Sequence, residues 1–448
     1  MGIFHTYDVR GIVPVEFNSG LAYDIARAFA SYINKGKVAV GRDVRNSSKE
    51  IKDSVIKGLI HSGIDVVDLG LITTPLLYFA VARRRADYGI MITASHNPKE
   101  YNGLKFCKSN IVPIYGDELK KIEKIYLNKD FIKGEGKLTQ YNIIPEYIKY
   151  IEERFITVSL KFVVDAGNGS SGLLFERLAS VMNLNYVPLY FSPDGNFPNH
   201  HPNPIVEENL EDLKKKVVEE EAEFGVAFDG DADRIGFIDN YGNFVQLDYV
   251  IALLSEHELK KHIGETIYYD LRCSKIVEET IIKNKGVPVK VRVGNPFYKQ
   301  LLIEKGGLFG AELSGHIMFK ENYAIDDPIY ALLKTLMILK SEGKKFSEVI
   351  ARYKKYAKSK EINFRVSDQK MVMEEIEEIF KDKKKEFIDG ITIYDDNWWF
   401  NIRKSNTEPL IRINIEAINN EKLDEIKNYL ISIIKKYEVK WCIKLFWL

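Results

Sequence analysis

A chain of 448 residues is too long for one compact core and predicts three or four domains. Its 45% hydrophobic and 29% charged residues exclude disorder as the main state, and 64 Lys and Arg against 64 Asp and Glu leave no net field to draw it onto nucleic acid or an anionic membrane. Three cysteines without C-x-x-C spacing argue against a disulfide framework and a zinc site; with no signal segment and no apolar run long enough to span a bilayer, the expected location is the cytoplasm.

Short apolar runs alternate with helical patterns along most of the chain, at 37–41, 65–68, 88–92, 161–165, 224–228 and 266–269. That is the strand and crossover-helix rhythm of mixed or parallel sheets. Three polar loops share a layout: Thr93-Ala-Ser-His-Asn-Pro98, Asp229-Gly-Asp-Ala-Asp-Arg234 and Gly310-Ala-Glu-Leu-Ser-Gly-His316. They predict equivalent strand-end loops in three similar α/β domains. Ligands of open sheets gather beyond the carboxyl ends of strands, so the three loops can face one cleft. After about residue 361 the pattern turns β-rich, with runs at 391–394 and 398–402 and one helical stretch on each side, which predicts a smaller α+β domain. The lysine cluster at 381–385 reads as a solvated turn or helix end.

Asp229, Asp231 and Asp233 stand at alternate positions after a predicted strand, where one loop can turn all three carboxylates onto a hard cation such as Mg²⁺. An EF-hand also begins this way, but its sixth position needs Gly and holds Arg234, and its twelfth needs Glu and holds Asn240. Ser95 follows the strand at 88–92 beside His96 and Asn97, a setting for a nucleophilic or phosphorylated serine, though such a triplet on its own is more often a turn or helix cap. Arg403-Lys-Ser-Asn-Thr-Glu-Pro409, with Arg412 beyond it, gathers cations, hydroxyls and an amide suited to a dianionic phosphate. Glu312, Ser314 and His316 offer an acceptor, a donor and a group that titrates near neutrality.

Together these segments resemble the α-D-phosphohexomutase superfamily, most closely its phosphomannomutase/phosphoglucomutase branch. Six elements stand in the family's order: Tyr7-Asp-Val-Arg-Gly11, Gly41-Arg-Asp-Val-Arg-Asn-Ser-Ser48, Thr93 to Pro98 running on through Tyr101-Asn-Gly-Leu-Lys105, Asp229 to Arg234, Gly310 to His316, and Arg403 to Pro409. The resemblance implies four domains around a central cleft, which we divide at 1–152, 153–250, 251–360 and 361–448. It implies Ser95 as the phosphorylated residue, and Asp229, Asp231 and Asp233 as Mg²⁺ ligands with the metal touching the serine phosphate. Glu312 and Ser314 would meet the sugar hydroxyls together with Tyr7. Arg403, Ser405, Asn406, Thr407 and Arg412 would hold the phosphate that is not reacting. Lys105 and His316 would serve as acid and base, His96 would stand beside the serine, and Arg10 and Arg234 would offset charge on the moving group.

The implied reaction moves a phosphate between O1 and O6 of glucose or mannose through a hexose 1,6-bisphosphate, and a homodimer is left open. The Tyr-Asp-Val-Arg-Gly opening and the Ser-Asn-Thr-Glu-Pro turn favour this branch over phosphoglucosamine mutases, which usually show Gly-Thr-Asp-Gly and Ser-Gly-Thr-Glu-Pro. Two departures stand out: Gly-Ala-Glu-Leu replaces the usual Gly-Gly-Glu-Met, and Val293-Gly-Asn-Pro-Phe297 replaces a commoner Val-Gly-His segment. A metal-dependent sugar phosphatase and a non-catalytic sugar-phosphate sensor are the rival readings.

Overall fold

The structure is a computed structural model that describes residues 2–405 and 410–438. Four sheets follow one another along the chain. The first has six strands in the order Val9–Ile12, Tyr101–Cys107, Tyr88–Ile92, Lys37–Arg42, Asp65–Leu71 and Leu138–Gln140. Lys37–Arg42 lies parallel between Asp65–Leu71 and Tyr88–Ile92. Its residues Val38, Ala39, Val40 and Gly41 are all buried, because helices cover both faces of such a layer, and the run is therefore apolar without alternation.

The same device recurs three times. Tyr88–Ile92 is parallel to Lys37–Arg42 on one side and antiparallel to Tyr101–Cys107 on the other. In the second sheet Phe224–Phe228 is parallel to Phe162–Asp165 and antiparallel to Ile235–Asp239. In the third, Phe309–Ala311 is parallel to Thr266–Asp270 and antiparallel to Ile317–Phe319. Each polar loop singled out from sequence is the connection between a parallel strand and its antiparallel neighbour, so the expected likeness of the three loops is one of topology. The fourth sheet is antiparallel, centred on Trp398–Lys404 and Leu410–Ala417, with helices Gln369–Ile379 and Asn420–Ile434. The architecture is the expected one: three mixed α/β units and a smaller α+β unit.

Helix Thr74–Ala82 ties the first three units together. Its sequence, TPLLYFAVA, has no polar face, and a helix without one must be covered all round. Thr74 to Val81 are all buried. The Thr74 N–H donates to the Asp231 carbonyl of the second unit (2.9 Å), and the Phe79 ring packs against Tyr147 (5.4 Å) and, in the third unit, Tyr323 (6.3 Å). One continuous core runs from Leu76 and Phe79 through Phe162 and Phe228 to Tyr298 and Phe309. The fourth unit keeps a core of its own around Ile376, Phe400, Ile413 and Leu430. No described helix is long and apolar enough to cross a membrane.

Candidate active site

The three polar loops and the β-rich unit meet at a cleft of about 620 Å³. Tyr7, Arg10, Ser95, His96, Lys105 and Arg234 line one part of it. Glu312, Ser314, His316, Arg403 and Arg412 line the rest.

Ser95 is 2% exposed, and its backbone is left-handed, with φ at 50°. Its N–H donates to Thr93 Oγ1 (2.9 Å), and its hydroxyl donates to Asp229 Oδ2 across the first and second units (2.8 Å) and stands 3.2 Å from His96 Nδ1. The approach is close because residue 230 is glycine; a Cβ there would lie 2.8 Å from the Ser95 carbonyl oxygen. Burial, then the cations Arg234, Arg10 and Lys105, hold the His96 imidazole well below its ordinary value, so it is neutral near pH 7.

Asp229, Asp231 and Asp233 are buried, each with a carboxylate oxygen within 4.8 Å of the others. Asp229 Oδ1 accepts the Asp233 and Arg234 N–H groups at 2.9 and 3.1 Å, which wraps the loop round its first carboxylate. Asp231 Oδ2 accepts from Thr74 Oγ1 at 2.6 Å, and Lys105 Nζ bridges Asp231 and Asp233 at 2.7 and 2.6 Å. Burial, then the neighbouring Asp233 and Asp231 charges, push the Asp229 carboxyl well up. Burial opposes the charge on Lys105, but the three aspartates override it and hold the ammonium above its ordinary range.

Asp231 Oδ1 and Asp233 Oδ1 are buried without a hydrogen-bond partner among the described residues. A buried acceptor left so costs about 1–3 kcal/mol, which a bound cation would offset. Hard carboxylate oxygens fit Mg²⁺. The loop joins two antiparallel strands rather than two helices, which removes the EF-hand alternative.

Arg10 donates from Nη1 to Asn97 Oδ1 (2.5 Å) and pairs with Asp8, so it reaches the serine loop through its amide. Arg234 Nε donates to His316 Nε2 (3.1 Å), while His316 Nδ1 faces Asp326 Oδ2 (3.2 Å) and Asp233 Oδ1 (3.7 Å). The tautomer that satisfies these contacts carries its proton on Nδ1 and leaves Nε2 as acceptor. Glu312 Oε1 accepts the Gly294 N–H (3.2 Å), and Ser314 Oγ, also buried, has no partner among the described residues. The unusual Asn295 donates to Asp326 Oδ2 (2.8 Å), which places it behind His316 as well as on the cleft. Burial, then the Arg292 charge pulling the other way and Glu312, leave the Tyr7 phenol raised; its hydroxyl donates to the Val293 carbonyl (3.2 Å).

At the far end Glu361 gathers the arginines. Its carboxylate accepts from Arg403 Nη2 (2.8 Å) and Asn414 Nδ2 (3.2 Å), and lies 3.5 Å from both Arg272 and Arg412. Ser405 is buried nearby, its N–H bonded to the Leu410 carbonyl (2.8 Å). Asn406 and Thr407 lie outside the described residues. Thr74, Arg272 and Glu361 are cleft or ligand-loop partners to which sequence reasoning assigned no role. Thr74 reads as a helix start, and neither of the other two sits in a recognisable motif.

Family models for phosphoglucomutase/phosphomannomutase match in order: domain I over residues 1–133, domain II over 145–242, domain III over 246–356 and the C-terminal domain over 361–432. A phosphomannomutase of Methanocaldococcus jannaschii is 41% identical over 96% of this chain and 98% of its own. A phosphomannomutase/phosphoglucomutase of Pseudomonas aeruginosa is 34% identical over 95% of this chain and 94% of its own. The crystal structure of a family member from Burkholderia thailandensis superposes with a TM-score of 0.91 at 32% identity, covering 98% of each chain. With all four domains matched in sequence and the whole fold matched in space, the chain belongs to the phosphoglucomutase/phosphomannomutase family.

Proposed function

We propose that the chain interconverts the 1- and 6-phosphates of glucose and mannose, with Ser95 as phosphoryl carrier and a hexose 1,6-bisphosphate as intermediate. The observation that carries this reading is the 2.8 Å contact between Ser95 Oγ and Asp229 Oδ2, which joins a buried serine to a triple-aspartate loop in a cleft whose far end is rich in arginine.

In the forward half-reaction the phosphoryl group leaves Ser95 Oγ for the sugar O6, whose proton passes to a base. In the second half the phosphoryl group on O1 returns to Ser95 Oγ, and O1 takes a proton. His316 would act as base through Nε2 once that nitrogen gives up its bond from Arg234, with Asp326 behind Nδ1, and Lys105, held by Asp231 and Asp233, would be the proton donor. Mg²⁺ held by Asp229, Asp231 and Asp233 would supply positive charge against the phosphoryl oxygens. Arg10 and Arg234 add to that charge from the two flanks. Arg403 and Arg412 would bind whichever phosphate is not reacting, and Glu312 and Ser314 would hold hydroxyls presented from either end as the bisphosphate turns over. Keeping that intermediate enclosed limits loss of the phosphoryl group to water.

The test is a coupled assay on glucose 1-phosphate and mannose 1-phosphate with Mg²⁺. Wild-type protein should isomerise both, and Ser95→Ala should lose about 10³-fold or more in kcat while keeping its fold. Release of inorganic phosphate without isomerisation would favour the phosphatase reading, and hexose phosphate binding without turnover the sensor.

A further inference from the structure

A serine adopts a left-handed backbone only where its surroundings enforce it, and Ser95 is such a residue. What surrounds the main chain of its loop is Arg45, between strand Lys37–Arg42 and helix Ser48–Ile60. The Arg45 side chain is fully buried. Its Nη2 donates to the carbonyls of Ser95 (2.8 Å) and Asn97 (2.6 Å). Its Nη1 donates to those of Pro98 (2.6 Å) and Tyr101 (2.9 Å), and its Nε donates to Asp43 Oδ2 (3.1 Å). A guanidinium has five N–H groups. All five are committed to the protein, so none remains for sugar or phosphate.

The second unit closes on the same residue. The Phe197 ring lies 5.2 Å from the guanidinium carbon. Residue 195 must be glycine, since a Cβ there would stand 2.6 Å from Asn46 N and 2.8 Å from Arg45 Cα. Asn46 Nδ2 donates to Asn196 Oδ1 (3.1 Å), and Phe197 in turn packs under Gly230 of the aspartate loop. Arg45 therefore stands where the serine loop of the first unit is keyed to the aspartate loop of the second.

We infer that Arg45 is a positioning residue for phosphoryl transfer: through four main-chain carbonyls it holds Ser95 in its left-handed turn, with Oγ against Asp229, and never touches the sugar. The inference rests on the reading of Ser95 as phosphoryl carrier. Lysine cannot replace the fork, because its three donors radiate from one atom and cannot meet four carbonyls and the Asp43 carboxylate at once. Sugar and distal-phosphate contacts come from other loops, so the defect belongs in kcat and not in KM.

The experiment compares wild type, Arg45→Lys, Phe197→Leu and Ser95→Ala with Mg²⁺. It measures kcat and KM for glucose 1-phosphate, the rate at which glucose 1,6-bisphosphate phosphorylates Ser95 by intact-protein mass spectrometry, and the folded fraction by circular dichroism. For Arg45→Lys, kcat per folded molecule should fall about 100-fold with KM within about threefold, and Ser95 phosphorylation should slow in step. Folded Arg45→Lys with wild-type kcat, or with kcat and KM degraded together, would overturn the inference. If Arg45→Lys does not fold, Phe197→Leu decides, since it removes the ring that fixes the plane of the guanidinium and so tilts the fork against its carbonyls without deleting a donor. A loss of about 3- to 10-fold in kcat at unchanged KM supports the positioning role, and wild-type kcat defeats it. Turnover by Ser95→Ala would instead sink the phosphoserine reading itself, whatever Arg45 does.

Discussion

At the scale of single residues, the aspartate loop could be read without a structure. Alternating carboxylates after a strand have few uses besides a hard cation, and the loop wraps as that spacing implies. We expect Asp231→Asn to raise the Mg²⁺ concentration needed for half-maximal activity by at least about tenfold, because the proposed metal site would lose one of its three carboxylates; a metal titration of initial rates checks this, and an unchanged midpoint would remove Asp231 from the site. Ser95 was less legible, since Ser-His-Asn is also ordinary turn chemistry and only its contact with Asp229, 134 positions away in the chain, separates the two. Thr74 and Glu361 could not be found by motif. Thr74 opens an apolar helix and reaches Asp231 over 157 positions, and Glu361 acquires its meaning from arginines of two different units.

At the scale of elements, strands were legible where burial on both faces makes an unbroken apolar run, as in Lys37–Arg42 and Phe224–Phe228. The pairing of each loop-bearing strand with an antiparallel neighbour was not, because periodicity carries no partner information. Helix Pro328–Glu342 ends on a carboxylate, against the helix dipole. Arg352 (3.1 Å to each Glu342 oxygen) and His257 (2.9 Å) make that charge tolerable. The Arg352 hydrogen bonds, against partial burial and together with His257, hold the Glu342 carboxyl down to about 2 from 4.5. Because its folded value is depressed, the carboxylate stabilises above the unfolded value, and that contribution fades as pH falls from 4.5 through about 2. Glu342→Gln should therefore cost about 1 kcal/mol near neutrality and nothing once both forms are fully protonated, seen as melting temperatures of the two proteins that converge in acid.

At the scale of the whole molecule, one core spans the first three units, the first and second units each bury a further cluster on the opposite face of their sheets, and the fourth has a core of its own, joined to the rest at a seam that includes Arg272–Glu361 and Lys290–Glu386. Two thermal transitions should follow. Leu76→Ala, in the helix buried between units, should cost about 2–5 kcal/mol and lower only the transition of the first three. Ile413→Ala should lower only that of the fourth. Calorimetry showing both substitutions moving a single transition would mean that the seam couples all four. A fourth unit that unfolds on its own could also carry Arg403 and Arg412 toward or away from the cleft, as the proposed bisphosphate intermediate would require while it turns over. If the phosphoryl group travels by way of Ser95, it must be given up and regained there in every turnover. Phosphorylating the enzyme with glucose 1,6-bisphosphate whose phosphoryl oxygens carry ¹⁸O, removing the sugar, and following the mass of the Ser95 peptide during one turnover with unlabelled glucose 1-phosphate tests this at the serine itself. The labelled phosphoryl group should leave Ser95 for the sugar and be replaced by an unlabelled one from O1 at the catalytic rate. Full activity with Ser95 unmodified throughout, or a label that stays on the serine while isomerisation proceeds, would contradict it.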